Sequence, residues 1–294
     1  AQITLMGESA GGPIVAGLLA NQASRALVAR AIIESGPLEA QTAKRAGRVT
    51  ARLAKLLGVT ADRAGFASTS PEKLLDARRQ QASGSSPLGG APGFQFAIDA
   101  ASLPRSPHEV LASIDIPLLI GSNTDEYRLW FTPAALDGIS ELKLLLARLA
   151  LRIPRKAVSA YRAAFPNAST GEIFGQVATD VMLRAPLTRL ARARRAPTHV
   201  YEFAWSSPVR DLRAAHALEL GFVFDRLGDP EAQRLAGGDA PQRLADEMHA
   251  AWIAFITTGD PGWPTFGAER TTRLFDTESA TVAQRRSEAL DLLP

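Results

Sequence analysis

The feature that most constrains this chain lies in its first two dozen residues. A short apolar run, Gln2-Ile3-Thr4-Leu5-Met6, leads straight into Gly7-Glu8-Ser9-Ala10-Gly11, and the stretch from Pro13 to Ala23 is small and mostly apolar. A strand, a Gly-x-Ser-x-Gly turn and a buried helix in that order force a sharp reversal that lifts the serine above the end of a sheet. Glycines flank the serine because strand and helix must meet at distances that leave no room for a Cβ. Ser9 is therefore a candidate nucleophile. The backbone N–H of Ala10 would face the oxygen that gathers charge when a carbonyl is attacked. An ordinary glycine-rich turn is the competing reading, and the strand before it and the helix after it weigh against that.

The remaining sequence alternates short apolar runs with long amphipathic stretches, which predicts an α/β protein. Strands are expected at 2–6, at 26–35 around Ala31-Ile32-Ile33, at 116–121, at 199–205 and at 270–276. The run Ile116 to Gly121 is apolar throughout, as a strand buried on both faces would be. Helices are expected at 38–57, stopped by Gly58, at 71–81 behind Ser70-Pro71, and at 241–257, closed by Gly259. Ser106-Pro107-His108-Glu109 has the spacing of a helix-starting capping box. Residues 83–104 form the loosest stretch, and 125–195 reads as mostly helical, broken at Pro133, Pro154, Pro166 and Pro186.

Composition excludes several classes. The 294 residues are 46% hydrophobic and 21% charged, which removes disordered and fibrous proteins. With 33 Lys and Arg against 30 Asp and Glu, the surplus of 3 defines no nucleic-acid footprint. No apolar run approaches the roughly 20 residues of a membrane span. With no cysteine there is no disulfide, no thiol nucleophile and no thiolate metal site. Residues 1–20 lack a signal-peptide pattern, so the compartment, cytoplasmic or secreted, stays open.

Gly-Glu-Ser-Ala-Gly-Gly after Ile-Thr-Leu-Met closely resembles the type B carboxylesterase family, the α/β-hydrolases that include cholinesterases and bacterial para-nitrobenzyl esterases. The resemblance continues through Ala31-Ile32-Ile33-Glu34-Ser35-Gly36, Ile116 to Glu126, His199 to Trp205 and Ala215-His216-Ala217-Leu218-Glu219. Thr258-Gly259-Asp260-Pro261, Trp263-Pro264-Thr265-Phe266 and Leu274-Phe275-Asp276 complete it. It implies an α/β-hydrolase fold, a mostly parallel sheet flanked by helices. One domain would span 1–294 without the family's N-terminal strands, with the helical region 125–195 covering the active site. The implied activity is hydrolysis of small-molecule carboxylic esters, with no cofactor and no metal.

Chemistry of this kind takes its acid and then its base downstream of the serine. Asp125 and Glu126 both follow the buried strand, and the resemblance selects Glu126. Tyr127 departs from the family, which usually has Gly there. Of the four histidines, His199 lies in a strand, and His108 and His249 read as solvated on helices. His216 alone joins the required order to the family motif. The resemblance further implies that Glu8 lies near the active-site histidine and that Ser35 hydrogen-bonds the catalytic carboxylate. Phe94, Phe96 and Trp130 are candidate lining for a substrate pocket, and Asp180 reads as structural.

The oxyanion loop of this fold, of His-Gly-Gly-Gly type, lies upstream of the elbow, and no His-Gly-Gly occurs in the chain. Leu88-Gly89-Gly90 and Ala236-Gly237-Gly238 are the remaining glycine pairs, both downstream. A chain of this extent is expected to be a weak or inactive esterase by itself, with an exposed edge on its first strand open to pairing. A non-catalytic cholinesterase-like binding module and an inactive truncated fragment are the alternatives. Retention of Ser9, Glu126 and His216 argues against the binding module.

Overall fold

Period-two alternation in the apolar runs puts a core on each face of one sheet. The computed structural model describes residues 2–38, 40–82 and 96–294, which form two compact units, 1–38 with 108–294 and 39–107. The first unit holds a six-stranded sheet in the order β1 (Ile3–Glu8), β2 (Val28–Glu34), β3 (Leu118–Asn123), β4 (Thr198–Phe203), β5 (Thr271–Phe275) and β6 (Ala280–Ala283). The first five strands run parallel and β6 closes the edge antiparallel. Ile32, Leu119 and Tyr201 pack on one face, where Phe222, Trp252 and Phe275 join them. Their neighbours Ala31, Ile33, Leu118, Ile120 and Val200 pack on the other, against Val15, Leu19 and Leu190. Every residue of β3 and β4 is buried, as expected of central parallel strands. β1 is an edge among the described residues, and Ile3 on it is 50% exposed.

The expected strands and helices are present with ends moved by one to a few residues. The helix after the elbow, α1, runs Gly11–Ala20. Helix Ala43–Leu57 ends where Gly58 turns left-handed at φ 68°, and helix Gln242–Thr258 ends at Gly259, φ 88°. One expectation fails, and one strand was not expected. Pro186 does not break its helix: helix Thr170–Thr179 passes through a wide turn at Asp180–Arg184 into helix Ala185–Ala193. There Ala185 N–H reaches back five residues to Asp180 O, and the wider turn leaves room for the proline ring. Strand β6 had no signal in the sequence, since Ala280-Thr281-Val282-Ala283 is too short and too small to stand out.

The helical stretch 125–195 has a core of its own, in which Leu144, Ile153, Tyr161 and Ile173 pack with Leu290 and Leu293. The second unit contains helices Ala43–Leu57 and Pro71–Ala82, tied by Gln81 Nε2 donating to Val49 O at 3.0 Å. Among the described residues no helix is long and apolar enough to cross a membrane.

Candidate active site

Ser9 stands at φ 50°, a left-handed conformation that a serine adopts only where its surroundings impose it. Two glycine contacts do so. A Cβ on Gly7 would lie 2.4 Å from the carbonyl of Gly11, and one on Gly12 would lie 2.6 Å from Cα of Gly36. The strand, the helix and the end of β2 thus meet backbone to backbone. Ser9 N–H donates to Glu34 O at 2.9 Å, which continues the β1–β2 ladder to the turn itself. Ala10 follows at the N-terminus of α1, where backbone N–H groups face outward.

The acid stands just beyond β3. Glu126 opens a single tight helical turn, Glu126–Leu129, and is 2% exposed. Three donors converge on its carboxylate: Ser35 Oγ at 2.6 Å, Asn123 N–H at 2.7 Å and His216 Nδ1 at 2.6 Å. On the other side of the imidazole, His216 Nε2 lies 2.7 Å from Ser9 Oγ. Glu8 Oε1 lies 3.1 Å from the same nitrogen. The Trp130 ring leans over the imidazole with centroids 4.7 Å apart.

Asp125, the neighbouring carboxylate, faces Arg213 and Arg128 instead, and burial pushes it up to about 6 against their pull. Its own N–H is held by Ala214 O at 2.9 Å. Tyr127 in place of glycine is accommodated by another glycine. Its ring lies against Gly175, where a Cβ would stand 2.3 Å away. Arg128 pins the turn between Asp211, at 2.6 Å, and Glu172.

Burial works to lower the His216 pKa, but the charge and hydrogen bond of Glu126, with Glu8 added, outweigh it and hold it above its ordinary value. Burial lifts Glu8 to about 7, moderated by His216 and reinforced by Glu126. The imidazole is thus a strengthened base with its proton acceptor directed at Ser9.

Of the remaining candidates, His199 packs in the core with Nδ1 2.8 Å from Trp263 O. His108 and His249 were expected in solvent; both are half-buried, and His249 Nδ1 sits 2.8 Å from Val223 O. Asp180 accepts from Tyr161 Oη at 2.7 Å, a structural tie. Phe96 belongs to the second unit and Phe94 lies outside the described residues. Sequence reasoning missed Asn123, Glu34 and Glu219. Asn123 Nδ2 donates to Ala215 O at 2.7 Å and to Glu219, while its main-chain N–H serves Glu126. Their signal was polarity at the end of an apolar strand, which alone does not separate a site from a loop. Among the described residues no cluster of three or more His, Cys, Asp or Glu is arranged to hold a metal.

The model of the carboxylesterase family matches residues 1–289. The chain belongs to the type B carboxylesterase family. It is 32% identical to the para-nitrobenzyl esterase of Bacillus subtilis over 97% of its own length and 60% of the relative's. It is 30% identical to the phenmedipham hydrolase of Pseudarthrobacter oxydans over 91% of its length and 58% of that protein. Among solved structures, a carboxylesterase of Geobacillus stearothermophilus superposes with a TM-score of 0.84 at 30% identity, over 100% of this chain and 64% of the other. A para-nitrobenzyl esterase does so with a TM-score of 0.83, over 62% of its chain. The fold of this family member is thus the α/β-hydrolase fold, and the chain spans about 60% of the length of these relatives.

Proposed function

We propose that the chain carries the reacting centre of a carboxylic ester hydrolase, with Ser9 as nucleophile, His216 as general base and Glu126 as the acid that orients it. The observation that carries this reading is one continuous path, Ser9 Oγ to His216 Nε2 at 2.7 Å and His216 Nδ1 to Glu126 at 2.6 Å. Ser9 Oγ attacks the ester carbonyl while His216 takes its proton, and Glu126 stabilises the imidazolium that forms. Ala10 N–H meets the oxyanion. His216 then passes the proton to the departing alcohol, leaving an acyl-enzyme on Ser9. Water, activated by the same imidazole, releases the acid. Trp130, leaning over His216, lines the space where an ester would sit.

The substrate class is small carboxylic esters, and a para-nitrophenyl ester reports turnover directly. Ser9→Ala should lower the rate by on the order of 10⁶-fold. Undiminished turnover in that variant would place the nucleophile elsewhere and end the proposal.

A finer reading concerns residues 1–294 taken alone. The elbow geometry calls for a further N–H beside that of Ala10, and one lost oxyanion donor costs about 10²–10³ in rate. Ile3, Ile14 and Leu18 along β1 and α1 are 40–51% exposed, an apolar edge suited to pairing with another strand. Residues 1–294 should therefore be slow and prone to edge association. Equal turnover from a monomeric 1–294 and from a longer protein containing it would refute this.

A further inference from the structure

At the ends of β2 and β3 lies a group of buried polar atoms that the proposed reaction does not use. Glu34 and Glu219 are both fully buried. Each has one oxygen with a donor: Trp252 Nε1 reaches Glu34 Oε1 at 2.7 Å, and Asn123 Nδ2 reaches Glu219 Oε2. The other oxygen of each, Glu34 Oε2 and Glu219 Oε1, is buried without a partner, and so are Asn123 Oδ1 and the Tyr201 hydroxyl.

Strand register places these groups together. Glu34 on β2 pairs with Gly121 on β3, which pairs with Tyr201 on β4. Gly121 has no side chain, and the Tyr201 ring fills its place: a Cβ there would stand 2.3 Å from the ring. The tyrosine therefore lies across β3 toward Glu34, edge-on to Trp252 at 5.0 Å.

As carboxylates, Glu34 and Glu219 would give this space three unpartnered acceptors, counting Asn123 Oδ1, against one donor, the Tyr201 hydroxyl. As carboxylic acids each brings an O–H that can donate as well as accept, which removes the excess of acceptors. A buried acceptor without a donor is costly, whereas a proton retained on a buried acid avoids the cost of burying its charge. Resting on the hydrolase reading above, we propose that Glu34 and Glu219 are neutral acids and that Glu219 positions His216, leaving Glu126, with its three donors, as the anion beside the imidazole. Glu219 does this through Asn123, whose amide holds Ala215 next to the base and whose main-chain N–H holds Glu126.

The charges acting on the pair are those of carboxylates: Glu8 on Glu34, and Glu126, Glu34 and Glu8 on Glu219. Burial, reinforced by Glu8 and relieved in part by Trp252, raises Glu34 to about 8; burial and the three acids raise Glu219 well above its ordinary value. His216 and Tyr201 are the other titratable groups facing the pair. Helix Gln242–Thr258 contributes the Trp252 N–H, while its His249 and Glu247 are engaged with Val223 O and Arg273.

Infrared difference spectroscopy of the full chain tests this without turnover. At neutral pH the carbonyl stretch of protonated carboxyl groups should be present, and Glu34→Gln and Glu219→Gln should each remove part of it. No such band means ionised carboxylates solvated by buried water, and overturns the proposal. Labelling of Ser9 with a fluorophosphonate across pH tests positioning. Glu219→Ala should slow it about 10- to 100-fold by releasing Asn123. Glu219→Gln should restore it with the acid limb unmoved, since one neutral group replaces another. A limb moved to lower pH in that variant would show that a charge had been removed, and overturns the proposal. A wild-type chain that does not label counts against the hydrolase reading, while the infrared band still decides the state of the pair.

Discussion

Two buried charged clusters flank the end of β3, and they solve the burial of carboxylates in opposite ways. On one side Glu202, at the end of β4, meets three guanidinium groups: Arg184 at 3.0 Å, Arg285 at 2.6 Å and Arg286 at 3.0 Å. Burial alone would raise its pKa, but these cations, Arg184 foremost, bring it below the ordinary value. On the other side Glu8, Glu34, Glu126 and Glu219 crowd round one imidazole, and no guanidinium pairs with them among the described residues. The first cluster is scaffolding. Arg184 also donates to Ser122 Oγ and Asn123 O, so it fixes the very strand end from which Glu126 springs. The second cluster has protons to hold and move. Matched charge gives rigidity, and burial without a cation makes Glu8, Glu34 and Glu219 hold their protons more tightly.

The largest expected effects come from breaking each cluster at its centre. Glu126→Gln keeps the shape but removes the anion, and should cost about 10⁴ in kcat/KM, roughly 5.5 kcal/mol. Asp125→Asn, one residue away, should leave most of the rate; the reverse pattern in an ester assay would reassign the acid. Next comes Arg184→Met. It removes one of the two cations that Glu202 and Asp180 share, leaving Arg286, and should cost about 3–5 kcal/mol of stability in denaturant unfolding. A loss below about 1 kcal/mol would show that Arg285 and Arg286 suffice, and that the scaffold is less dependent on Arg184 than the contacts imply.

The contrast was only half visible in the sequence. The elbow was legible because Gly7 and Gly12 are demanded by backbone contact, a local requirement that leaves a local signature; Gly11 meets no such contact. β3 was legible because burial on both faces keeps its polar residues to its end, β2 by its apolar Ala31-Ile32-Ile33, and β4 by the alternation along Thr198–Phe203. Ser35 and Glu8 were named through family resemblance, and their contacts now have distances: Ser35 Oγ to Glu126 at 2.6 Å and Glu8 to His216 at 3.1 Å. Glu34, Asn123 and Glu219 were not legible as a group. Trp252 meets Glu34 across 218 positions and Asn123 meets Glu219 across 96, and no local pattern encodes such pairings. Pro186 misled for a related reason: a proline's local veto on helix was overruled by a wide turn that the buried Asp180–Arg184 segment supplies.

A smaller effect separates the two clusters by pH. Glu34, with its pKa near 8 in the folded chain, keeps a proton that the unfolded chain sheds near its ordinary value of 4.5. The folded state thus binds more protons than the unfolded one across that window, so stability drains away as pH rises from about 4.5 to about 8. Glu34→Gln has no proton to shed. It should match the parent in urea unfolding near pH 4 and exceed it at pH 8 by at least about 2 kcal/mol, at roughly 1.4 kcal/mol per pKa unit. Equal stabilities at both pH values would mean that Glu34 ionises normally. Glu202→Gln should behave oppositely and lose stability at neutral pH, because its carboxylate has cations to answer.

The smallest effect is the most specific. Glu8 sits 3.1 Å from His216 Nε2, and burial lifts its carboxyl to about 7. A unit charge at that distance is worth about 1.3 kcal/mol even at the dielectric of water, close to one pH unit. Near pH 7 Glu8 carries that charge only part of the time, so it adds to the rise of the His216 pKa that Glu126 causes first. His216 must be neutral to accept the Ser9 proton, and the rate therefore falls as pH drops through its pKa. Glu8→Gln withdraws that contribution, so in the proposed reaction the acid limb of kcat/KM, or of fluorophosphonate labelling, should move to lower pH. A limb that stays in place would show that Glu8 is already neutral when His216 titrates. All three acids other than Glu126 would then be protonated, and the acid-rich cluster would hold a single negative charge.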